Sequence, residues 1–191
     1  SGTFDLGRGH GVFWTEREEP ENFPVYQHKA RLEADEPAGR VRWVLGRGRQ
    51  LTVFPNLAVN DLLKSTSFRS YRPLAVDATE VTISCLAPKG ESVEQRRNRL
   101  RHFETLFLPS SMLHSDDIAM LELVQAGDRG WSSPWTDYTR GLATRIEGPD
   151  GAARDLAIAP DQSSPDSWDD MAMQALYRQW ARLMDGDDVE P

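Results

Sequence analysis

Two adjacent acidic residues, Asp116 and Asp117, are the strongest candidates in the sequence for direct chemistry. They stand at the predicted start of a helix, where a carboxylate can supply a ligand to a metal ion. A mononuclear non-haem iron site that activates oxygen needs two histidines besides that carboxylate. No two of the four histidines have helical metal-ligand spacing; they are His10, His28, His102 and His114. Either the acidic pair only caps a helix, or it belongs to a larger site.

His114 adds one ambiguous contact to the acidic pair. It lies three residues before Asp117, a spacing at which two helical side chains are neighbours and could touch the same ion. A lone histidine in this position is more often a loop or cap residue. The organisation of the remaining chain favours the larger site.

Arg49 is the second candidate, as a residue that binds an anion. It immediately precedes a strand predicted over residues 50–54, and a guanidinium there can bind a carboxylate through two hydrogen bonds. The alternative is a surface arginine in a basic group with Arg40, Arg42 and Arg47. Arg140 and Arg145 carry the same two interpretations. Nothing in the spacing supports a phosphate-binding loop or a nucleophilic triad.

The bulk composition predicts a single globular domain. The chain has 191 residues, of which 39% are hydrophobic and 27% charged, and its net charge is −8. That charge argues against nucleic acid as a partner, and no apolar run is long enough to span a bilayer. Cys85 is the only cysteine, which excludes an internal disulfide and fits a reducing, cytoplasmic location.

The first half of the chain predicts strands. Two short strands flank a turn at Gly7-Arg8-Gly9 within residues 3–16, and others follow at residues 50–54, 56–63, 65–73 and 79–86. In the segment 65–73, one set of alternating positions carries Ser65, Ser67, Arg69 and Tyr71. The turn Asp77-Ala78 joins the last two strands, which predicts that they pair antiparallel.

The second half predicts helices. Short helical segments at residues 26–34, after Pro24, and 41–45 precede this half, and a Ser92–Gln95 capping box opens a helix that stops at Pro109. Another helix is predicted over residues 116–126, a loop over 148–162, and a final helix over 165–184. The helix over 116–126 has an apolar stripe of Ile118, Leu121 and Val124, with Met120 beside them. The last helix is expected to turn inward the apolar side chains of Met173, Leu176, Tyr177, Trp180, Leu183 and Met184. Strands followed by helices predict an α+β fold with an antiparallel sheet.

Several motifs in this order resemble one known family. They are Arg49-Gln-Leu-Thr-Val-Phe-Pro-Asn56, Tyr71-Arg-Pro-Leu, the segment 79–92, Ser115-Asp-Asp117 with Glu122, Gln125 and Gly127, Trp135-Thr-Asp-Tyr-Thr-Arg-Gly141, and Ile146-Glu-Gly-Pro-Asp150. The pattern is similar to the catalytic domain of Rieske-type aromatic-ring-hydroxylating dioxygenase alpha subunits. Within that family it resembles the benzoate, toluate and anthranilate branch. The likeness covers nearly the whole chain and implies a helix-grip fold, with an antiparallel sheet wrapped around helices.

The resemblance implies roles for particular residues. Asp117, the second acid of the pair, corresponds to the carboxylate ligand of the mononuclear iron, and Asp116 to its neighbour at the helix start. The expected substrate-binding residues are Arg49, Asn56, Val59, Asn60, Leu63 and Arg145. Among these, Arg49 is expected to hold an aromatic carboxylate, with Arg145 as the second choice. Residues 107–113 are expected to form part of the pocket wall.

The chain also departs from the family pattern. The Rieske motifs, Cys-x-His and Cys-x-x-His, are absent, and so is the Asp-x-x-His-x-x-x-x-His segment that supplies both histidine ligands. The resemblance therefore implies that residues 1–191 are a C-terminal portion of the catalytic domain. The implied cofactors are mononuclear Fe(II), with an incomplete site here, a Rieske 2Fe–2S cluster in the missing domain, and NADH through a reductase. Alone, the chain is expected to be inactive.

The implied reaction is cis-dihydroxylation of an aromatic acid with O₂. The implied partners are a small beta subunit, sibling alpha subunits, a reductase or ferredoxin, and the aromatic acid itself. Two alternatives remain open at this point. One is a Rieske monooxygenase or demethylase of the same superfamily, and the other is a non-catalytic helix-grip module that binds a ligand without iron.

Overall fold

An antiparallel sheet organises the chain in the computed structural model, which describes residues 1–62, 64–130 and 135–186. Within those ranges it has eight strands in the order β6-β5-β4-β3-β2-β1-β8-β7, and each neighbouring pair is antiparallel. The strands are β1 Gly2–Asp5, β2 Gly11–Glu16, β3 Arg47–Val53, β4 Leu57–Asp61, β5 Ser67–Ala75, β6 Ala78–Cys85, β7 Ile146–Glu147 and β8 Gln162–Ser164. Because β8 pairs with β1, the end of the chain returns to its beginning.

The helices pack on both sides of this sheet. They are α1 Lys29–Asp35, α2 Ala38–Gly46, α3 Val93–Phe107, α4 His114–Gly127, α5 Gly151–Asp155 and α6 Met171–Asp185, with short 3-10 helices at Pro20–Asn22, Pro24–His28 and Leu142–Thr144. The expected α+β architecture is thus confirmed. In the parts of the chain that the structure describes, no helix has the length and apolar character needed to cross a membrane.

Strand register divides the side chains between two faces of the sheet. Directly paired residues point the same way, so Phe4, Val12, Leu51 and Val59 lie side by side on one face. Trp43 of α2 covers them, with its ring stacked 5.9 Å from that of Phe4. We call this side the α2 face. It holds a buried core of Phe4, Val12, Trp14, Trp43 and Ala153.

The opposite side, which we call the α3 face, is more polar. Its directly paired residues are Phe13, Gln50, Asn60 and Ser67 in β2 to β5. Helix α3 packs there against β6, and α6 packs against β1 and β2. The close approach of α6 requires glycine in the β1–β2 turn, because a Cβ on Gly9 would stand 2.9 Å from the Cβ of Gln179.

The strand predictions are largely confirmed. The first two strands flank the Gly7-Arg8-Gly9 turn, and β5 pairs antiparallel with β6. The capping box is also present, because Ser92 accepts from the backbone of Gln95 while the Gln95 side chain accepts from the backbone of Ser92. The segment after Pro24 begins as a 3-10 helix rather than as an α-helix.

Two predictions about the second half are wrong. Residues 148–162 are not a plain loop, since they contain α5, whose N-cap Asp150 accepts a hydrogen bond from the Ala153 backbone at 2.8 Å. They also lead into β8, a strand too short to show alternation. The last helix begins at Met171 and not at residue 165, because residues 162–164 are extended in β8 and pair with β1.

The apolar stripe predicted on α4 is exposed, and the inward direction predicted for the stripe of α6 is largely wrong. In α4, the apolar side chains at Ile118, Met120, Leu121, Leu123 and Val124 are all exposed, and only His114 is buried. In α6, the buried positions are Met171, Ala175 and Gln179, while Met173, Tyr177, Trp180, Leu183 and Met184 are exposed. Close approach to the sheet favours small or slender residues, so the bulky stripe faces outward.

Candidate functional site

Asp117 lies in the first turn of α4, and it does not cap the helix. The helix begins at His114, and the N-cap residue Leu113 makes no side-chain cap hydrogen bond. The helix-cap interpretation of the acidic pair is therefore not supported by the geometry. The Asp117 side chain is 57% exposed, so its oxygens remain available to a ligand. Both acids still benefit from the helix dipole at this end.

His114 connects Asp117 to the interior. His114 is buried, and its ring stands edge-on to that of Phe107, with the ring centroids 6.2 Å apart. The Nδ1 atom is 3.8 Å from Asp117 Oδ2 and has no hydrogen-bond partner among the described residues. Burial lowers the pKa of His114, the positive charge of Arg69 lowers it further, and Asp117 opposes both effects. The imidazole is therefore favoured in its neutral form, with a nitrogen free to make a bond.

A strip of polar side chains crosses the sheet on this same face. Asn60 donates from Nδ2 to Gln50 Oε1 at 3.2 Å, and its own Oδ1 accepts from the Leu62 backbone at 3.1 Å. Ser67, paired directly with Asn60, is fully buried, and its hydroxyl has no described partner. Arg69 follows two residues later on the same face. Its guanidinium carbon stands 5.6 Å from the ring centroid of Phe107.

These residues form what we call the inner site: Gln50, Asn60, Ser67, Arg69, Phe107, His114 and Asp117. One end offers a carboxylate beside an unbonded imidazole nitrogen, and the other offers amide, hydroxyl and guanidinium groups. Phe103 and Phe107 of α3 add an apolar wall, with their ring centroids 5.7 Å apart and both side chains buried. Apolar side chains with a few polar groups among them are typical of the lining of small-molecule sites.

A complete metal centre is not present in the described part of the chain. Within residues 1–62, 64–130 and 135–186, no group of three His, Cys, Asp or Glu side chains is placed to hold a metal ion. Asp117 fits the carboxylate position of an iron site, because its oxygens are exposed and the chemistry is right. An iron site at Asp117 would need its further ligands from outside these residues.

The α2 face carries a different kind of pocket, a cavity of about 840 Å³. It is lined by the predicted residues Arg49 and Val59 together with Arg17, Trp43, Leu51 and Asp61. Arg49 pairs with Asp61, which also accepts from Arg17 at 3.2 Å. Burial lowers the pKa of Arg17, and the negative charge of Asp61 opposes that effect. The charges of this cavity are thus already engaged with one another.

The predicted substrate residues do not meet in one place. Asn60 is on the α3 face in the inner site, whereas Arg49 and Val59 are on the α2 face. Asn56 is exposed in the turn after β3, where its side chain donates to the Tyr71 carbonyl at 3.1 Å. Leu63 lies outside the described residues.

Arg145 lies beyond the opposite edge of the sheet. It precedes β7 and forms an ion pair with Glu147 at 3.2 Å. Five strand spacings separate β7 from β4, which is about 24 Å along the sheet. Arg145, beside β7, is therefore far from Asn60 in β4.

Sequence reasoning missed three members of the inner site: Gln50, Ser67 and Arg69. The signal that could have found Ser67 and Arg69 is the polar alternation of Ser65, Ser67 and Arg69, which runs into β5, the second strand from one edge of the sheet. Buried strand faces are normally apolar, so a polar face opposite a helix indicates a lined site. The predicted pocket wall is only partly enclosed, since Phe107 is 3% exposed but Met112 is 70% exposed.

Comparison with known proteins places this chain in a family. The family model for the ring hydroxylating alpha subunit (catalytic domain) matches residues 3–186. The chain therefore belongs to the ring-hydroxylating alpha-subunit family. Its structure resembles naphthalene 1,2-dioxygenase from Rhodococcus sp. bound to indole, with a TM-score of 0.78 at 18% identity over 96% of this chain and 44% of that one. At that identity, the likeness shows a shared fold.

Curated relatives of this family act, by their names, on rings that carry a carboxylate. The 2-halobenzoate 1,2-dioxygenase large subunit of Burkholderia cepacia is 37% identical over all of this chain and 41% of its own length. Toluate 1,2-dioxygenase subunit alpha of Pseudomonas putida is 34% identical over 96% of this chain and 39% of its own length. The anthranilate 1,2-dioxygenase large subunit of Acinetobacter baylyi is 32% identical. The chain thus spans about two fifths of the length of these relatives.

Proposed function

We propose that this chain is the C-terminal portion of the catalytic domain of an aromatic-acid dioxygenase large subunit. In the parent protein, Asp117 is the carboxylate ligand of a mononuclear iron. The observation that carries this proposal is the exposed Asp117 carboxylate beside an unbonded, buried imidazole nitrogen, on the lined face of the sheet. The names of the relatives support an aromatic acid as the substrate.

Each part of the inner site has a role in this proposal. When bound, iron supplies the activation of O₂ for addition of both atoms to adjacent ring carbons. Asp117 holds the metal, and the nearby His114 nitrogen can orient the carboxylate. Phe103 and Phe107 exclude water from the ring-binding space, and the amide of Asn60 positions the substrate. The roles predicted for Arg49, Asn56, Val59, Leu63 and Arg145 stay predictions.

The parent protein supplies what this chain does not contain. We place the two histidine ligands and the Rieske 2Fe–2S cluster in the preceding part, with electrons arriving from NADH through a reductase or ferredoxin. The partners are a small beta subunit and sibling alpha subunits. The outward apolar side chains of α4 support contact with further polypeptide, because such a row is rarely left in water. Without those parts, this chain alone is inactive and holds iron poorly.

The test is the product formed from benzoate by the full-length, reconstituted enzyme. The wild-type protein is expected to give a cis-dihydrodiol, and Asp117→Ala is expected to abolish product while leaving the folded circular dichroism and the Rieske absorption unchanged. Retained dihydroxylation in that variant would contradict the assignment of Asp117. A singly hydroxylated product would favour a monooxygenase, and benzoate binding without oxygen consumption would favour a binding module.

A further inference from the structure

Arg69 presents an unpaired, buried guanidinium nitrogen to the inner site. It belongs to β5, between Ala58 of β4 and Ile83 of β6. Its Nε atom is shielded from solvent and has no hydrogen-bond partner among the described residues. No ion pair joins its guanidinium to a carboxylate within residues 1–62, 64–130 and 135–186. A shielded guanidinium without a counter-ion is costly, because its hydration is lost without replacement.

Other shielded arginines of the chain do have carboxylate partners. Arg99 donates to both oxygens of Glu91, at 2.7 and 2.8 Å, and its side chain is only 8% exposed. Arg17 and Arg49 share Asp61 on the α2 face. Arg69 therefore differs from these three arginines, because no described carboxylate pairs with it. The missing partner is a carboxylate, and the guanidinium fork is suited to bind one through two hydrogen bonds.

The surroundings of Arg69 also fit an aromatic ring. Its guanidinium carbon is 5.6 Å from the Phe107 ring centroid, so an apolar ring surface lies directly beside the cation. Phe107 in turn contacts His114, whose Nδ1 is 3.8 Å from Asp117. The charge, the ring surface and the iron-binding carboxylate thus follow one another along a continuous path on the α3 face. An aromatic acid carries the matching groups in the same order, a carboxylate for Arg69 followed by a flat apolar ring for Phe107.

We propose that Arg69 binds the carboxylate of the aromatic acid and selects acids over neutral rings of the same size. This proposal rests on the proposed function, because it assigns the substrate class to the same site. It also replaces Arg49 in that role with a residue on the face that carries Asp117. Arg49 is the rival assignment, and the same experiment separates the two.

The experiment measures binding of two probes, benzoate and its neutral analogue toluene, to the anaerobic full-length enzyme by calorimetry. Loss of a bidentate, charge-assisted contact is expected to raise the Kd for benzoate by roughly 10- to 100-fold in Arg69→Met. The Kd for toluene is expected to change by less than about 3-fold, since ring contacts are kept. Arg69→Lys, which keeps the charge but loses the fork, is expected to give an intermediate loss.

Two control variants make the outcome decisive. Arg72→Met removes an exposed arginine of the same strand, paired with Glu80, and is expected to leave both Kd values unchanged. Arg49→Met tests the rival assignment. The proposal would be overturned if Arg69→Met weakened the binding of benzoate and toluene equally. It would also be overturned if only Arg49→Met weakened the binding of benzoate and left that of toluene unchanged. If Arg69→Met does not fold, Arg69→Lys is used instead, and its Kd values for benzoate and for toluene are each compared with those of wild type.

The failure of this proposal is distinguishable from failure of the proposed function. If wild-type enzyme binds benzoate and holds iron, but Arg69→Met and Arg69→Lys bind benzoate as tightly, only the role of Arg69 is wrong. If wild-type enzyme prefers toluene to benzoate, the aromatic-acid substrate class itself is wrong.

Discussion

The two faces of the sheet differ in how their shielded charges are satisfied. On the α2 face, Arg17 and Arg49 both contact Asp61, and the unpaired buried atoms among the described residues there are Trp14 Nε1, Arg17 Nε and the hydroxyl of Ser65. On the α3 face, the Nδ1 of His114, the Nε of Arg69 and the hydroxyl of Ser67 all lack described partners. The aromatic core of Phe4, Trp14 and Trp43 also lies on the α2 face.

This difference separates a stabilising face from a binding face. Protein interiors satisfy most buried polar groups, so a cluster of unsatisfied groups indicates a place where another molecule completes the bonds. A cavity alone does not indicate this. The pocket on the α2 face has charges that already neutralise one another, whereas the inner site has buried nitrogens without described partners near an exposed carboxylate.

The largest expected effect on stability comes from Asp61 on the α2 face. Asp61→Asn leaves the guanidinium of Arg17, 3% exposed, without its carboxylate partner. We expect the unfolding free energy of the full-length protein to fall by about 2–4 kcal/mol, while the bound iron is retained. Asp117→Asn is the matched substitution on the α3 face, and its exposed carboxylate makes the expected cost below about 0.5 kcal/mol. Equal stability losses in the two variants would break the distinction between the faces.

Substitution of His114 is expected to have a smaller effect, in which iron affinity falls while the unfolding free energy changes little. In His114→Leu, the iron affinity measured by chelator competition is expected to fall about 10-fold, because the carboxylate loses its orienting neighbour. Stability is expected to change by less than about 1 kcal/mol, because the removed nitrogen is unpaired. His114→Asn keeps a donor near the Nδ1 position and is expected to restore most of the affinity. Unchanged affinity in His114→Leu would show that the imidazole only packs against Phe107.

The smallest expected effect is a pH dependence at Glu91, a paired carboxylate at the end of the α3 face. Hydrogen bonding from Arg99 lowers the pKa of Glu91 in the folded chain. A lowered folded pKa adds stability above the unfolded pKa of about 4.3, and that stability is lost as the pH falls through the folded pKa. Below about pH 4, wild type should therefore lose the stability that ionised Glu91 contributes, and Glu91→Gln should show no such loss in an acid-unfolding experiment. An identical pH profile for the two proteins would show that the pair adds nothing.

Local patterns predicted much of the fold from the sequence. Period-two alternation, the Gly7-Arg8-Gly9 turn and the Ser92–Gln95 capping box are all determined by near neighbours, and each is confirmed. The pairing of β8 with β1 joins residues about 160 positions apart, and β8 has only three residues, so no local pattern marks it. The start of α6 was misplaced for the same reason.

The candidate site was only half predicted, because sheet faces are set by register. Asp117 and Asn60 were identified from motifs, but Arg49 and Asn60 were assigned to one pocket although their side chains leave opposite faces. A shift of one residue changes the face, and the register depends on partner strands that the sequence does not specify. The inward direction predicted for the apolar row of α6 was wrong for another reason. Amphipathic periodicity indicates a face that needs covering, and it does not say which polypeptide covers it.

The iron content of two neighbouring variants tests the central claim most directly. Asp116 and Asp117 share one helical turn and one chemistry, so Asp116→Asn is the closest available control for Asp117→Asn. Asp117→Asn is expected to lose at least about 90% of the mononuclear iron from the full-length protein, with the Rieske cluster intact, because a first-sphere ligand is removed. Asp116→Asn is expected to keep it. Iron retained in Asp117→Asn, or lost equally from both variants, would contradict the assignment of the inner site.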